Sequence, residues 1–381
     1  MAQYTLKLTN SVIYSIGDTH GCGRQVIDFI QKLAIRSELR GEARPAFIQL
    51  GDLCDGFAFP KEHTVDVLRV CNQTRLAEMP ELRAALLDSG NRFIDWERYA
   101  GVRGELTGRE LLETAQEDIV DAVYQAFRCY ETLMLYSRHQ QRYPQDFYVI
   151  FGNHDADLLR GRCAYGRQQK YIMLGLLGFS PQEVLAHMTE GTPDIVLRHP
   201  WLKWLSERPH ILLSHDTVYM HGGPTGALGD RFAAPHNGFE TWLDEIDKAR
   251  ANGWDDPHFT EHECFLSPDG AANDWLRHPE RVLNFLAAAR RQYCAVGHSP
   301  FLDFEKGPML DLANTPHKHL FATPAQLPPQ GRLIKHDTNM KRIGELWACR
   351  HETGTDVWTG MDAEMKESAL RPGFENETCA N

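Results

Sequence analysis

Five short apolar runs along the chain each break off into a glycine-bearing polar cluster. "SVIYSIGDTHG" ends in Asp18 and His20, "AFIQLGDLCDG" in Asp52 and Asp55, and "FYVIFGNHDAD" in Asn153, His154 and Asp155. "TVYMHGG" ends in His221 and "YCAVGHSP" in His298. Runs this short and this apolar are the pattern of strands buried on both faces. Helical spacing lies between them. Residues 24–39 put Val26, Ile27, Ile30, Leu33 and Ala34 on one face, and 279–293 opens on Pro279, a residue suited to a first helical turn. Strands alternating with helices predict a layered α/β fold, in which the polar groups after the strands gather at one rim.

Two stretches depart from this rhythm. Residues 57–146 carry no strand pattern, and Leu112, Ala115, Ile119, Ala122, Ala126, Tyr130 and Leu133 recur there at helical spacing. The stretch reads as a helical insertion, either packed on the domain or capping its rim. From about 333 the chain alternates apolar and polar residues, as two or three antiparallel strands would, after a Pro- and Gln-rich connection, "ATPAQLPPQG". The expected organisation is one domain over 1–345, interrupted by 57–146, followed by C-terminal strands and a polar tail over 346–381.

Composition narrows the function classes. The 381 residues carry a formal net charge of −12, which argues against general affinity for nucleic acid or anionic membrane. No basic-then-apolar leader opens the chain, and no apolar run is long enough to span a bilayer. The nine cysteines are scattered without a C-x-x-C pair, which reads as free thiols in a reducing, cytoplasmic setting. The pattern sets no oligomeric state.

Taken together, Asp18, His20, Asp52, Asn153, His221 and His298 offer carboxylate and amide oxygens and imidazole nitrogens, with no thiol. That donor set suits Mn²⁺, Fe²⁺ or Zn²⁺. Six donors exceed what one catalytic ion takes from protein and suffice for two ions sharing a bridge. Each cluster alone reads as an ordinary turn or helix cap. The recurrence of five, each after an apolar run and each beside glycine, is what points to a metal centre.

In order, GDTHG, GDLCDG, GNHD, HGG and GHSP resemble the phosphoprotein phosphatase branch of the calcineurin-like metallophosphoesterases, whose pattern is GDxHG, GDxxDRG, GNHE, HGG and a late histidine. The resemblance spans roughly 12–345 without the insertion, and "WLKWLSERPHILLSHDTVYMHGG" is similar to bacterial and Shewanella-like members. It implies a β-sandwich flanked by helices, with two divalent ions, Mn²⁺ first and Fe or Zn as alternatives. Asp18 and His20 would hold the first ion, Asp52 would bridge, and Asn153, His221 and His298 would hold the second. His154 would protonate the leaving oxygen, oriented by Asp55. "FLSPDGAANDWLR" resembles a loosened form of a family segment that precedes a phosphate-binding arginine, which makes Arg277, then Arg281, the candidates for that contact. Two positions depart from the pattern. Gly56 stands where the family has a phosphate-gripping arginine, and GNHD is shared with bacterial diadenosine tetraphosphate hydrolases.

The expected activity is hydrolysis of phosphomonoesters by a hydroxide held on a dinuclear centre. A phosphorylated protein (on Ser/Thr or Tyr) is the first substrate class, and a small phosphoester is the alternative partner. The rivals are a dinucleoside polyphosphate hydrolase and, in another class, a non-catalytic binding protein on the same fold.

Overall fold

The computed structural model describes residues 5–42, 44–54, 125–126, 128–161, 167–191, 193–224, 226–233, 238–253, 279–298, 332–336 and 346–369, with the short antiparallel strands β8 (Leu302–Asp303) and β9 (Gly307–Pro308) and a strand segment at 321–322. Asp55, Gly56, Arg277 and most of 57–146 lie outside the described residues.

Two six-stranded mixed sheets form the centre. One holds β2 (Val12–Ile16), β3 (Ala46–Gln49) and β4 (Phe147–Val149) as parallel neighbours. β12 (Trp347–Glu352) runs antiparallel to β2, and β13 (Trp358–Asp362) and β14 (Glu367–Ala369) continue the sheet outward. The other sheet has the order β1 (Thr5–Lys7), β5 (Ile211–Leu213), β6 (Thr217–Met220), β7 (Tyr293–Val296), β11 (Leu333–Lys335) and β10 (Phe321–Ala322). Only β5 and β6 pair antiparallel in it.

Side-chain alternation along the strands shows how the sheets are covered. Ile13, Ala46, Ile48 and Ile150 share one apolar cluster with Leu212, Tyr219 and Ala295, residues of the two sheets meeting face to face. The alternate residues Val12, Tyr14, Ile16, Phe47 and Val149 belong to the larger core that the helices close. Helix α1 (Gly23–Leu39) turns Val26, Ile27, Phe29, Ile30 and Leu33 inward. Each such side chain contributes roughly 1.5–3 kcal/mol by leaving water. The α/β sandwich expected from the sequence is the fold observed, because strands covered on both faces have no polar face to alternate with.

The described end of the 57–146 stretch is a helix, α2 (128–142), which is part of the core. Leu133 and Tyr136 are fully buried, and Thr132 Oγ1 accepts from the Gly23 backbone N–H at 2.9 Å. α2 thereby caps the first turn of α1, which has no side-chain cap of its own. Arg24 and Glu131 add an ion pair between the two helices. The suggested cap over the rim falls on residues outside those described. Helix α4 (Pro279–Ala289) matches the expected helical segment, ending before β7. Among the described residues no helix is long and apolar enough to cross a membrane.

Candidate metal centre

Every one of the five clusters follows the C-terminal end of a strand, three from one sheet and two from the other. Both sheets deliver them to one place. Asp18, His20, Asp52 and His221 are buried, and Asn153, His154 and His298 are partly exposed at the rim. The ligating atoms form two groups, Asp18 with His20 and Asp52, and Asp52 with His221 and His298, each group lying within 4.8 Å. Asp52 belongs to both.

The backbone is bent to achieve this. His20, Asp52 and His298 hold φ values of 39°, 54° and 63°, in the left-handed region that side chains with a Cβ rarely adopt. Strained positions of this kind persist where surrounding contacts over-determine them. Those contacts are visible. The His20 backbone N–H donates to the Asp52 carbonyl at 2.8 Å. The His298 N–H donates to both Asp18 carboxylate oxygens, at 3.0 and 2.9 Å. The His154 N–H donates to Asp52 Oδ1 at 3.0 Å. The glycines beside the ligands are close approaches. A Cβ on Gly51, itself at φ 104°, would sit 2.5 Å from His221 Nδ1, and one on Gly297 would strike Asp18 Oδ1.

Hydrogen bonds also orient the imidazoles. His221 Nδ1 meets the Leu50 carbonyl at 2.7 Å, which leaves Nε2 facing Asn153 Oδ1 at 2.8 Å and Asp52 Oδ2 at 3.3 Å. His298 Nδ1 also meets Asn153 Oδ1, at 3.0 Å. His20 Nε2 stands 3.9 Å from both Asp18 Oδ2 and Asp52 Oδ2, and His154 Nε2 stands 3.8 Å from Asp52 Oδ2.

Charge follows from this packing. Burial alone would raise the Asp52 carboxyl, but the imidazoles of His221, His154 and His20 outweigh it and hold that carboxyl well below its ordinary range. Burial would lower His221, yet the Asp52 and Asp18 carboxylates push it up to about 10. The buried Asp52 carboxylate therefore stays ionised and favours positive charge beside it. The 3.9 Å separations around His20 are too long for hydrogen bonds, and they lie inside the roughly 4 Å that two donors about 2.1 Å from one cation can span. The donor set, its charge and its spacing fit divalent cations.

One contributor carried no role in the sequence reading. Asp155 is fully buried, and its two oxygens accept from the Leu53 N–H and the Gly152 N–H, both at 3.0 Å. It fastens the loop carrying Asp52 to the turn that opens helix α3 (Asn153–Arg160) with Asn153 and His154. Burial, then the neighbouring Asp52 charge, raise its carboxyl to about 6. Its place inside GNHD was the available signal. Of the two candidate arginines, Arg281 lies on α4 with Nε donating to Asp230 at 3.0 Å, and Arg277 is outside the described residues.

No protein-family model matches the chain, and no match was found among curated proteins. Among solved structures it is similar to a cold-active protein-tyrosine phosphatase of a psychrophilic Shewanella species, at 13% identity and a TM-score of 0.45, over 97% of this chain and 83% of that one. It is also similar to a Saccharomyces cerevisiae protein serine/threonine phosphatase with similarity to human phosphatase PP5. That likeness has 12% identity and a TM-score of 0.43, over 92% of this chain and 78% of the other.

Proposed function

We propose that the chain is a metal-dependent phosphatase of the phosphoprotein phosphatase type, acting on phosphomonoesters. The observation that carries this reading is the pair of donor groups sharing Asp52. Asp18, His20 and Asp52 would hold one divalent cation, and Asp52, Asn153, His221 and His298 a second, with Mn²⁺ first and Fe or Zn as alternatives. Bound there, such ions supply positive charge for the phosphoryl oxygens and a hydrolytic nucleophile at neutral pH.

The chain's own groups do the rest. Asp52 divides its charge between two positions, which brings them close. The backbone N–H groups of His298 and His154 hold the Asp18 and Asp52 carboxylates in place, the latter through Oδ1 alone. His154 is part-exposed at the rim, its Nε2 3.8 Å from Asp52 Oδ2. An imidazolium so placed can give its Nε2 proton to the departing oxygen. By resemblance, Asp55 would orient that ring. Arg277 would grip the phosphate ahead of Arg281, whose guanidinium is already engaged by Asp230.

A phosphorylated protein is the first substrate class, and a dinucleoside polyphosphate is the nucleotide rival, favoured by GNHD and by Gly56. The five described cysteines are free, which supports a reducing, cytoplasmic setting. The test is turnover of the Mn²⁺-reconstituted protein on serine, threonine and tyrosine phosphopeptides beside diadenosine tetraphosphate. The reading predicts release of inorganic phosphate from phosphopeptides at the higher kcat/KM. Preference for diadenosine tetraphosphate would move the assignment to the nucleotide rival, and turnover of neither by a metal-loaded protein would favour a binding role.

A further inference from the structure

We infer that the cavity at the N-terminal ends of β3 and β4 is a binding site for a small aromatic amine. Asp52 and Asn153 follow the opposite, C-terminal ends of these same strands. The cavity is therefore separate from the candidate metal centre, and the inference does not depend on the proposed activity.

The cavity measures about 420 Å³, within the range of small-molecule sites. It opens between α1 and the end of α2, over the sheet. Ile30 and Ala34 of α1 and Phe47 and Phe147 of the two strands line its apolar part. His139 and Tyr143 complete an aromatic side, their ring centroids 4.8 Å apart, and His139 also meets Phe147 edge-on at 4.9 Å. Phe47 is held flat by stacking on Tyr14 at 5.3 Å. These rings form a fixed surface for another ring.

Besides the Gln31 amide, the charged groups of the lining are three carboxylates, Glu38, Glu42 and Asp146, against one guanidinium, Arg44. Arg44 pairs with Asp146, and Glu42 accepts from Arg350 at 3.1 and 2.7 Å. Glu38 is exposed at the last turn of α1 and makes no ion pair among the described residues. Burial and the nearby Arg142 lower the His139 imidazole, so it adds no positive charge at neutral pH. An aromatic ring bearing an ammonium group matches both halves of this lining, with the ring against His139, Tyr143 and the edge of Phe47 and the charge toward Glu38. An aromatic carboxylate of the same shape would bring like charge to the mouth.

Calorimetric titration with tryptamine, and with indole-3-acetate as its oppositely charged counterpart, tests this at neutral pH in excess inorganic phosphate. The expected result is saturable tryptamine binding at a single site, at least about tenfold tighter than indole-3-acetate and undisturbed by phosphate. Ala34→Trp fills the cavity and should abolish binding. Glu38→Lys, a surface change that leaves the core intact, should weaken tryptamine and strengthen indole-3-acetate, and it decides the matter even if Ala34→Trp does not fold. Absence of saturable tryptamine binding, equal binding of the two indoles, or unchanged preference in Glu38→Lys would overturn the inference.

Discussion

At the residue scale, the proposed function assigns the charge-holding and proton-moving roles to different groups of the candidate centre. His154 touches Asp52 through its backbone N–H, while its ring stays part-exposed. Replacing the ring leaves that N–H in place. His154→Ala should therefore keep its metal content while losing about 10²–10⁴ in kcat on alkyl phosphates. The loss should shrink on aryl phosphates whose leaving oxygen needs no proton, so the dependence of kcat on leaving-group pKa should steepen. A variant that loses its metal instead would show that His154 is a ligand. Asp155 predicts a different outcome. Asp155→Ala leaves the Leu53 and Gly152 N–H groups buried without their acceptor, at about 1–3 kcal/mol each. Its urea midpoint should fall accordingly, and affinity for Mn²⁺ should fall with it as the two loops come apart. That Asp18, His20, Asp52, Asn153, His221 and His298 come together was legible because each follows an apolar run beside a glycine. Asp155 was not, because a carboxylate in the first turn of a helix reads as an ordinary cap.

At the element scale, the two sheets are tied by polar contacts as well as by packing. His336, just after β11, sits fully inside with Nε2 2.7 Å from Ser15 Oγ on β2 of the other sheet. Burial lowers its imidazole to about 4, and the backbone contacts at Ile334 and Val296 only partly oppose this. Unfolded, the same ring titrates near 6.5. Between those values the unfolded chain binds the extra proton, so stability falls as pH falls from about 6.5 to about 4. The change amounts to about 3 kcal/mol for this group. Urea midpoints of the metal-free protein across that window should drop less steeply in His336→Gln than in the parent. An identical slope would show that the ring does not stay neutral on folding. Strands β2, β3 and β4 were readable from local pattern, and so was the antiparallel pairing of β12, β13 and β14. β11, read from the same alternation as antiparallel, instead pairs parallel with β7 and β10 in the other sheet. Their docking was not. The pairing of β12 with β2, Arg350 opposite Tyr14, joins residues from the two ends of the chain, and nothing in either local pattern specifies it.

At the scale of the whole molecule, the sandwich exists to bring two sets of strand ends to one rim. Asp18 and His298, held by direct hydrogen bonds, are 280 positions apart. Such a centre forms only on the folded chain, so ions that occupy it should stabilise the fold by linkage. The rim itself was legible in the sequence because parallel strands with helical connections present their C-terminal ends together. What the 57–146 stretch contributes was legible only in part. Its helical character and the inward face of Leu133 could be read, with packing on the domain as one of two alternatives, but not the burial of Tyr136 or the contact of Thr132 with the start of α1. The most direct test of the two-cation reading is the metal content of protein reconstituted with Mn²⁺ and freed of excess ion, measured beside Asp52→Asn. The account predicts about two ions per chain in the parent and a marked loss at both positions in Asp52→Asn, whose shared carboxylate charge is gone. A parent that retains no ion, or an Asp52→Asn variant that retains both, would contradict it.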